Sequence, residues 1–318
     1  MKYGRITGVD KDISRIVFGT MIIHPSADGS LDNAFDLLDT ATGFGINAFD
    51  TAKVYGSEPN IGKWMKDRGN RENIVILTKG AHHDADGSRV VSAKLCEDIE
   101  NSLKQLQTEY IDIYMLHRDD LNVPVSEIID TLNKYTKPGI IKAIGGSNWT
   151  HERLAQANKY AQEKGLTPFT ASSPNYGLAV QVNDPWGEGC VSISGPDDEE
   201  ARKWYIENNM PVFAYSAIAR GLFSGRITSD DYTPETDAVD AACKRAYCFP
   251  VNFKRLDKAY KLAQKKGVTV AEIAIAYCFA GNLDVYALLG ASSHDEIKSA
   301  VKALDIEITP EEAADLID

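Results

Sequence analysis

Residues 74–116 read IVILTKGAHHDADGSRVVSAKLCEDIENSLKQLQTEYIDIYML, and this stretch decides the architecture. Residues 74–78 and 111–116 are short runs of β-branched and aliphatic side chains, the pattern of strands buried on both faces of a parallel sheet. Between them, residues 91–106 place Leu95, Ile99, Leu103 and Leu106 three or four positions apart, the period of a helix with one apolar stripe. Strand, crossover helix and strand are the local rule.

Working outward, the same rule recurs on both sides. Strands are expected at 16–18, 46–49, 140–144, 169–172, 212–214 and 285–288, each followed by a helical stretch, with no Pro-rich or Ser-rich linker between them. Eight strands in 318 residues predict one α/β domain over 1–318, a (β/α)8 TIM barrel. The chain exceeds the roughly 250 residues typical of that barrel. The excess falls in two long connections, 177–195 and 220–250, which are expected to shape a substrate pocket. Ahead of the first strand, segments 3–6 and 13–16 flank Gly8-Val9-Asp10 and predict an N-terminal β-hairpin that plugs one end of the barrel.

Composition excludes several classes of partner. With 34 Lys plus Arg against 46 Asp plus Glu, the net charge of -12 repels a phosphate backbone, so nucleic acid is not expected. The best apolar run, 273–280, ends at Gly281 and falls far short of the about 20 residues a membrane helix needs. Residues 1–14 are polar and lack the apolar stretch of a secretory signal, so a cytoplasmic location is expected. The five cysteines, Cys96, Cys190, Cys243, Cys248 and Cys278, form no CxxC pair, and an odd count argues against a closed disulfide framework. His82 and His83 are adjacent with no second ligand pair at helical spacing, so no metal site is expected. Segment 56–63 imitates a phosphate-binding loop, but its glycines are one residue too far apart and Trp64 replaces the hydroxyl. No GxGxxG follows an early strand, which removes a Rossmann unit.

In a parallel barrel the chemistry sits at the carboxyl ends of the strands. Asp50 ends the second strand, Lys79 the third and His117 the fourth, and Tyr55 lies in the loop just after Asp50. Each alone has a structural reading: a helix cap, a snorkelling amine, a core imidazole, a packed loop ring. Together they form an acid–base device. An ammonium beside a phenol lowers a pKa that otherwise sits near about 10, with Asp50 holding and charge-balancing Lys79. Tyr55 beside His117 is then placed to protonate a carbonyl oxygen as negative charge grows on it.

From the hairpin to Leu304 the chain resembles the aldo-keto reductase superfamily. The resemblance is carried by Phe49-Asp50-Thr51-Ala52-Lys53-Val54-Tyr55-Gly56, Lys79 and His117, which match the family's catalytic Asp, Tyr, Lys and His. It implies a nicotinamide cofactor bound across the barrel mouth. It also implies hydride transfer between that cofactor and an aldehyde or ketone, sugar-like carbonyls included, or the corresponding alcohol. The cofactor contacts it implies are Gly19, Thr20 and Met21 after the first strand, Asp50, Ser147 and Asn148 at the carboxamide, and Ser173 where the family has an amide. Tyr215 matches the ring that stacks on the nicotinamide, and Ser216, Ala217, Gly221 and Arg226 match the pyrophosphate loop. Gly290 and Ser292 open a helix whose N–H groups receive a phosphate.

Where many members carry an Arg for the adenosine 2′-phosphate this chain has Glu296, and Ala300 replaces an adenine-binding Asn. A carboxylate repels that phosphate and accepts from a ribose hydroxyl, while His294 and Lys298 compensate, so both NADP and NAD stay open. Candidate substrate walls are His24, Tyr55, His83, His117, Arg118, Trp149, Tyr176 and Trp186, on loops after strands. The expected partner is a small carbonyl or alcohol, with neither nucleic acid nor membrane, and a homo-oligomer stays open. Because the family includes potassium-channel β subunits, a cofactor-binding regulatory subunit is the second reading. A redox-neutral dehydration or isomerisation is the third.

Overall fold

The alternation expected from residues 74–116 runs through the whole chain. A computed structural model describes all residues, Met1–Asp318. Two short strands, β1 (Tyr3–Gly4) and β2 (Ile13–Ser14), pair antiparallel with Tyr3 opposite Ser14. Then come β3 (Ile16–Gly19), α1 (Asp32–Gly43), β4 (Ala48–Asp50), α2 (Glu58–Arg68), β5 (Val75–Gly80) and α3 (Ser92–Gln105). They are followed by β6 (Ile111–Leu116), α4 (Val125–Thr136), β7 (Ile141–Ser147), α5 (His151–Lys164) and β8 (Phe169–Ser173). The last third holds α6 (Glu199–Glu207), β9 (Val212–Ala214), α7 (Ala241–Ala246), α8 (Pro250–Lys266), α9 (Val270–Tyr277), β10 (Val285–Leu289), α10 (His294–Lys302) and α11 (Pro310–Ile317). Strands β3 to β10 close a parallel eight-stranded (β/α)8 barrel in the order β10-β3-β4-β5-β6-β7-β8-β9. No helix is long and apolar enough to cross a membrane.

The chain gathers into two compact units, residues 1–173 with 290–294, and residues 174–289 with 295–318. In the first, Phe18, Phe49 and Trp64 interlock, with ring centroids 6.0 Å and 5.1 Å apart, and the indole N–H donates to Asp39 at 2.8 Å. Each such ring contributes about 1.5–3 kcal/mol through burial. The hairpin lies against the amino ends of the strands. Gly8 (φ 97°) packs so closely that a Cβ would stand 2.3 Å from the Lys142 carbonyl oxygen, and Lys11 reaches the Ile74 carbonyl at 2.7 Å and Asp112 at 2.9 Å. In the second unit Phe213 of β9 stacks on Tyr286 of β10 at 4.8 Å, and Leu178, Phe223, Cys243, Tyr247, Leu256 and Ile273 share one apolar cluster.

Strand β7 runs three residues beyond its expected apolar end at Ile144. Neither Gly145 nor Gly146 has room for a side chain: a Cβ on Gly145 would lie 2.3 Å from the Ala171 carbonyl oxygen of β8, and one on Gly146 2.7 Å from the Trp149 indole. The imitation phosphate loop is ordinary structure. Gly62 sits inside α2, where it lets the helix touch the carboxyl end of α3.

Candidate active site

The catalytic candidates all lie in the first unit, at the carboxyl ends of β4, β5 and β6. Gly19 pairs with Asp50 and Asp50 with Leu77 across adjacent strands, so the Asp50 carboxylate leaves the sheet beside Lys79 of β5. The two form a buried ion pair, and the ammonium also donates to the Thr51 carbonyl at 3.0 Å. Thr20 donates to the Asp50 carbonyl at 2.9 Å, and the Ser57 hydroxyl lies 3.2 Å from that of Thr20 and 3.0 Å from that of Thr51. That network pins the chain where it leaves β4. A single tight turn over Lys53–Tyr55, closed by Gly56 in the left-handed region (φ 69°), then swings the Tyr55 ring over the ammonium, 5.3 Å from nitrogen to centroid. His117, whose N–H donates to the Gly80 carbonyl at 2.7 Å, meets the Tyr55 ring edge-on at 5.6 Å.

Charge states follow from burial and neighbours. Burial alone would drive the Lys79 ammonium down, but Asp50 and Tyr55 hold it above its ordinary value. Burial raises the Asp50 carboxyl, with Lys79 opposing. Burial also raises the Tyr55 phenol, and the pull of Lys79 does not cancel it. The expected lowering of Tyr55 is therefore corrected: desolvation outweighs the Lys79 charge, and the half-buried phenol stays protonated at neutral pH. Burial, then Lys79, His82 and Arg118, hold His117 well below the usual imidazole range, so it is neutral. A protonated phenol beside a neutral imidazole can deliver a proton to an oxygen that gains negative charge.

Two residues that the sequence reading did not place at the site stand beside it. The His82 ring lies 5.0 Å from that of His117 and 4.4 Å from that of His83, and burial holds His82 below its ordinary value. Buried Asp98, on the inner face of α3 with Leu95 and Ile99, accepts from Lys53, from Arg89 at 2.7 Å and from the Ala81 N–H at 2.9 Å. It thus anchors both the turn that ends in Tyr55 and the left-handed Ala81 (φ 59°) ahead of His82. Its signal was available: an acid three residues after Leu95 falls on the buried stripe.

The other expected residues are distributed as follows. Exposed His24 lies beside Gly56, and Met21 is exposed. His83 is exposed and Arg118 is buried. Trp149 has no exposed surface; it packs on Phe169 and its indole N–H donates to the Arg118 carbonyl at 3.3 Å, so it supports Arg118 from within the core. Ser147 donates to the Ser173 carbonyl at 3.1 Å, and Asn148, left-handed at φ 59°, donates to the His117 carbonyl at 3.2 Å. Gly290 approaches Gly19, and Ser292 lies in the turn just before α10.

In the second unit the Tyr215 hydroxyl donates to the Val191 carbonyl at 3.1 Å, and its ring lies 5.6 Å from that of Trp186, itself partly exposed. Tyr176 is buried. Ser216, Ala219 and Arg220 all have positive φ (55°, 50° and 52°), and Gly221 follows at 96° with Ala217 buried between them. Such strained main chain is concentrated at ligand clamps. Arg226 faces Glu296 at 3.8 Å, both largely exposed, so the charges expected to attract and to repel phosphate offset one another.

The constellation thus stands at the strand ends of a closed parallel barrel. The chain belongs to the aldo/keto reductase family, whose family model matches residues 15–317. Aldo-keto reductase YhdN of Bacillus subtilis is 29% identical over 245 residues, spanning 74% of this chain and 68% of that protein. Aryl-alcohol dehydrogenase GME11368 of Pestalotiopsis microspora is 27% identical, spanning 96% and 78%. The glycerol dehydrogenase AKR11B4 from Gluconobacter oxydans superposes with a TM-score of 0.79 at 25% identity, spanning 99% of this chain and 94% of that one.

The family implies a nicotinamide dinucleotide, and the residues present fit one. His117 Nδ1 is buried with no hydrogen-bond partner in the protein, so a polar ligand can satisfy it. Within the left-handed turn at Ser216–Gly221 the Ala219 and Gly221 N–H groups are taken by the Ser216 and Ile218 carbonyls, so the buried His117 nitrogen carries the fit.

Proposed function

We propose that this chain is a carbonyl reductase that uses NADP or NAD to interconvert an aldehyde or ketone and the corresponding alcohol, with Tyr55 as the general acid. The observation that carries the reading is the Asp50–Lys79 pair beneath a phenol that His117 meets edge-on. Bound to the protein, the reduced nicotinamide supplies the hydride. Tyr55 gives its proton to the substrate oxygen, and Lys79 stabilises the phenolate left behind, its own charge balanced by Asp50. Neutral His117 orients the carbonyl oxygen through a ring nitrogen. In the reverse direction Tyr55 takes the proton back from the alcohol. Gly19, Thr20, Met21, Ser147, Asn148, Ser173, Gly290 and Ser292 are the first unit's cofactor contacts in this reading; Tyr215, Ser216, Ala217, Gly221, Arg226 and Glu296 are the second's.

The polar wall of His24, His82, His83 and Arg118 supports a hydroxylated carbonyl such as a sugar derivative over a wholly apolar one. The test is titration with NADH and NADPH separately, followed by absorbance of the reduced cofactor against aromatic aldehydes, ketones and keto-sugars. Binding of neither nucleotide would sink the proposal at its first step, and turnover that leaves the cofactor unconsumed would favour redox-neutral chemistry.

A further inference from the structure

Cys243 and Cys248 lie outside the catalytic constellation and face each other across the end of α7, their sulfurs 4.0 Å apart. Both are free thiols. A disulfide needs the sulfurs about 2.05 Å apart, so closing this one requires the chain to shift where α7 ends. Helix α7 stops at Ala246, and Tyr247 to Phe249 carry no regular structure before α8 begins. The two thiols differ in setting. Cys243 is fully buried, and its S–H donates to the Ala219 carbonyl at 3.3 Å. Cys248 is only half-buried, and the neighbouring Cys243 side chain, then the Tyr232 hydroxyl and Lys244, favour its thiolate while burial and Asp240 oppose it. An accessible sulfur is thus paired with a buried one that can resolve it.

Ala219 gives this pair a consequence. It belongs to the turn where Ser216, Ala219, Arg220 and Gly221 all have positive φ, a conformation that persists only while neighbouring contacts hold it. One such contact is the Cys243 thiol; another is the ion pair of Arg220 with Asp240, the residue that caps α7 by accepting from the Cys243 N–H at 2.7 Å. We propose that Cys243 and Cys248 form a reversible redox couple that a peroxide oxidises to a disulfide, and that oxidation loosens the turn at Ser216–Gly221. The Cys248 thiolate attacks one peroxide oxygen, so an S–O bond forms, the O–O bond breaks, and hydroxide leaves and takes up a proton. Cys243 then attacks the sulfenic sulfur: the S–S bond forms, the S–O bond breaks, and the Cys243 proton goes with the departing hydroxide as a second water. Two thiols are oxidised by two electrons, one peroxide is reduced to two waters, and the S–H donor to Ala219 is gone. A cellular dithiol reverses the reaction by exchange.

The effect of oxidation on nucleotide binding rests on the reductase reading, because that reading assigns this turn to the pyrophosphate. The test treats the full-length protein with hydrogen peroxide, alkylates the remaining thiols, maps the peptides by mass, and follows amide hydrogen exchange in both redox forms. The expected result is a 243–248 cross-link that dithiothreitol removes, absent from Cys248→Ser, with faster exchange at residues 216–222 only in the cross-linked form. NADH or NADPH affinity should fall several-fold in parallel. Independent alkylation of both cysteines after peroxide overturns the couple, and a cross-link with unchanged exchange at 216–222 overturns its link to the turn. Failure of both redox forms to bind nucleotide would count against the reductase reading, whereas the cross-link and the exchange rates decide the thiol couple by themselves.

Discussion

Tyr55→Phe removes one oxygen and leaves the Asp50–Lys79 pair beneath it intact. The expected loss in kcat is about 10²–10⁴-fold, the usual yield of a positioned proton donor, with cofactor affinity nearly unchanged. Full activity in this variant would end the assignment. Because packing holds the phenol above its ordinary value, carbonyl reduction by the native enzyme should be flat in Tyr55 ionisation across neutral pH, declining only in alkali as the donor loses its proton. Glu296 is a second single-residue question. Its carboxylate occupies Arg226 at 3.8 Å, and an exposed pair of this kind is worth roughly 0.2–1 kcal/mol. Glu296→Gln should release Arg226 and shift the ratio of Kd values toward NADPH by at most about fivefold, since 1.4 kcal/mol is tenfold. An unchanged ratio in paired fluorescence titrations would mean that Glu296 does not discriminate. Asp50, Lys79 and His117 were readable from sequence because each closes an apolar run, and Tyr55 because it follows Asp50 in the loop after the second strand. The sign of the Tyr55 shift was not, because it depends on how much protein surrounds the ring, and a motif holds no information about that.

At the level of elements, the site depends on α3 as much as on the strands. Asp98 links that helix to Lys53 at the start of the Tyr55 turn, to Arg89, and to the Ala81 N–H. Burial would raise its carboxyl, but the hydrogen bonds from Arg89, Lys53 and Ala81 keep it below the usual range. Asp98→Asn keeps the volume and removes the charge that two cations face. A loss of about 1.5–3 kcal/mol in urea unfolding is expected, the worth of a hydrogen bond to a charged group. In the fraction that remains folded, kcat should fall while cofactor Kd holds, because the turn, and not the cofactor contacts, loses its anchor. A stability loss with unchanged kcat would show that Asp98 serves the helix alone. Helix α3 itself was legible from Leu95 and Ile99, yet an acid on its apolar stripe reads as an exception until its partners, which lie far away in sequence, are seen to converge on it. The same limit set the end of β7, whose apolar pattern stops at Ile144 although the strand continues through Gly145 and Gly146 to Ser147.

For the molecule as a whole, pH reports how deeply the site is buried. In the unfolded chain a histidine titrates near about 6.5, whereas folded His117 stays neutral well below that, held down by burial and by Lys79, and half-buried His82 is lowered as well. A depressed folded pKa means that the unfolded chain binds protons first on acidification. The stability these histidines contribute is therefore complete above about pH 6.5 and is lost as the pH falls toward their folded values. The carboxylates respond elsewhere. Those held low by cationic or main-chain partners, such as Asp98 and Asp240, lose their contribution only below the ordinary carboxyl range near about 4. Raised Asp50 acts with the opposite sign, its cost growing as pH rises through its folded value. Below about pH 6.5, as the pH falls toward their folded values, the two histidines should set a slope of up to ~1.4 kcal/mol per pH unit for each proton. Urea unfolding across that window should show native stability falling steeply, and His117→Gln, which keeps a polar side chain but cannot be protonated, should flatten the fall by about one proton's worth. Equal slopes in the two proteins would mean that His117 takes up a proton as readily folded as unfolded, and the neutral imidazole on which the proton-donor mechanism relies would go with it.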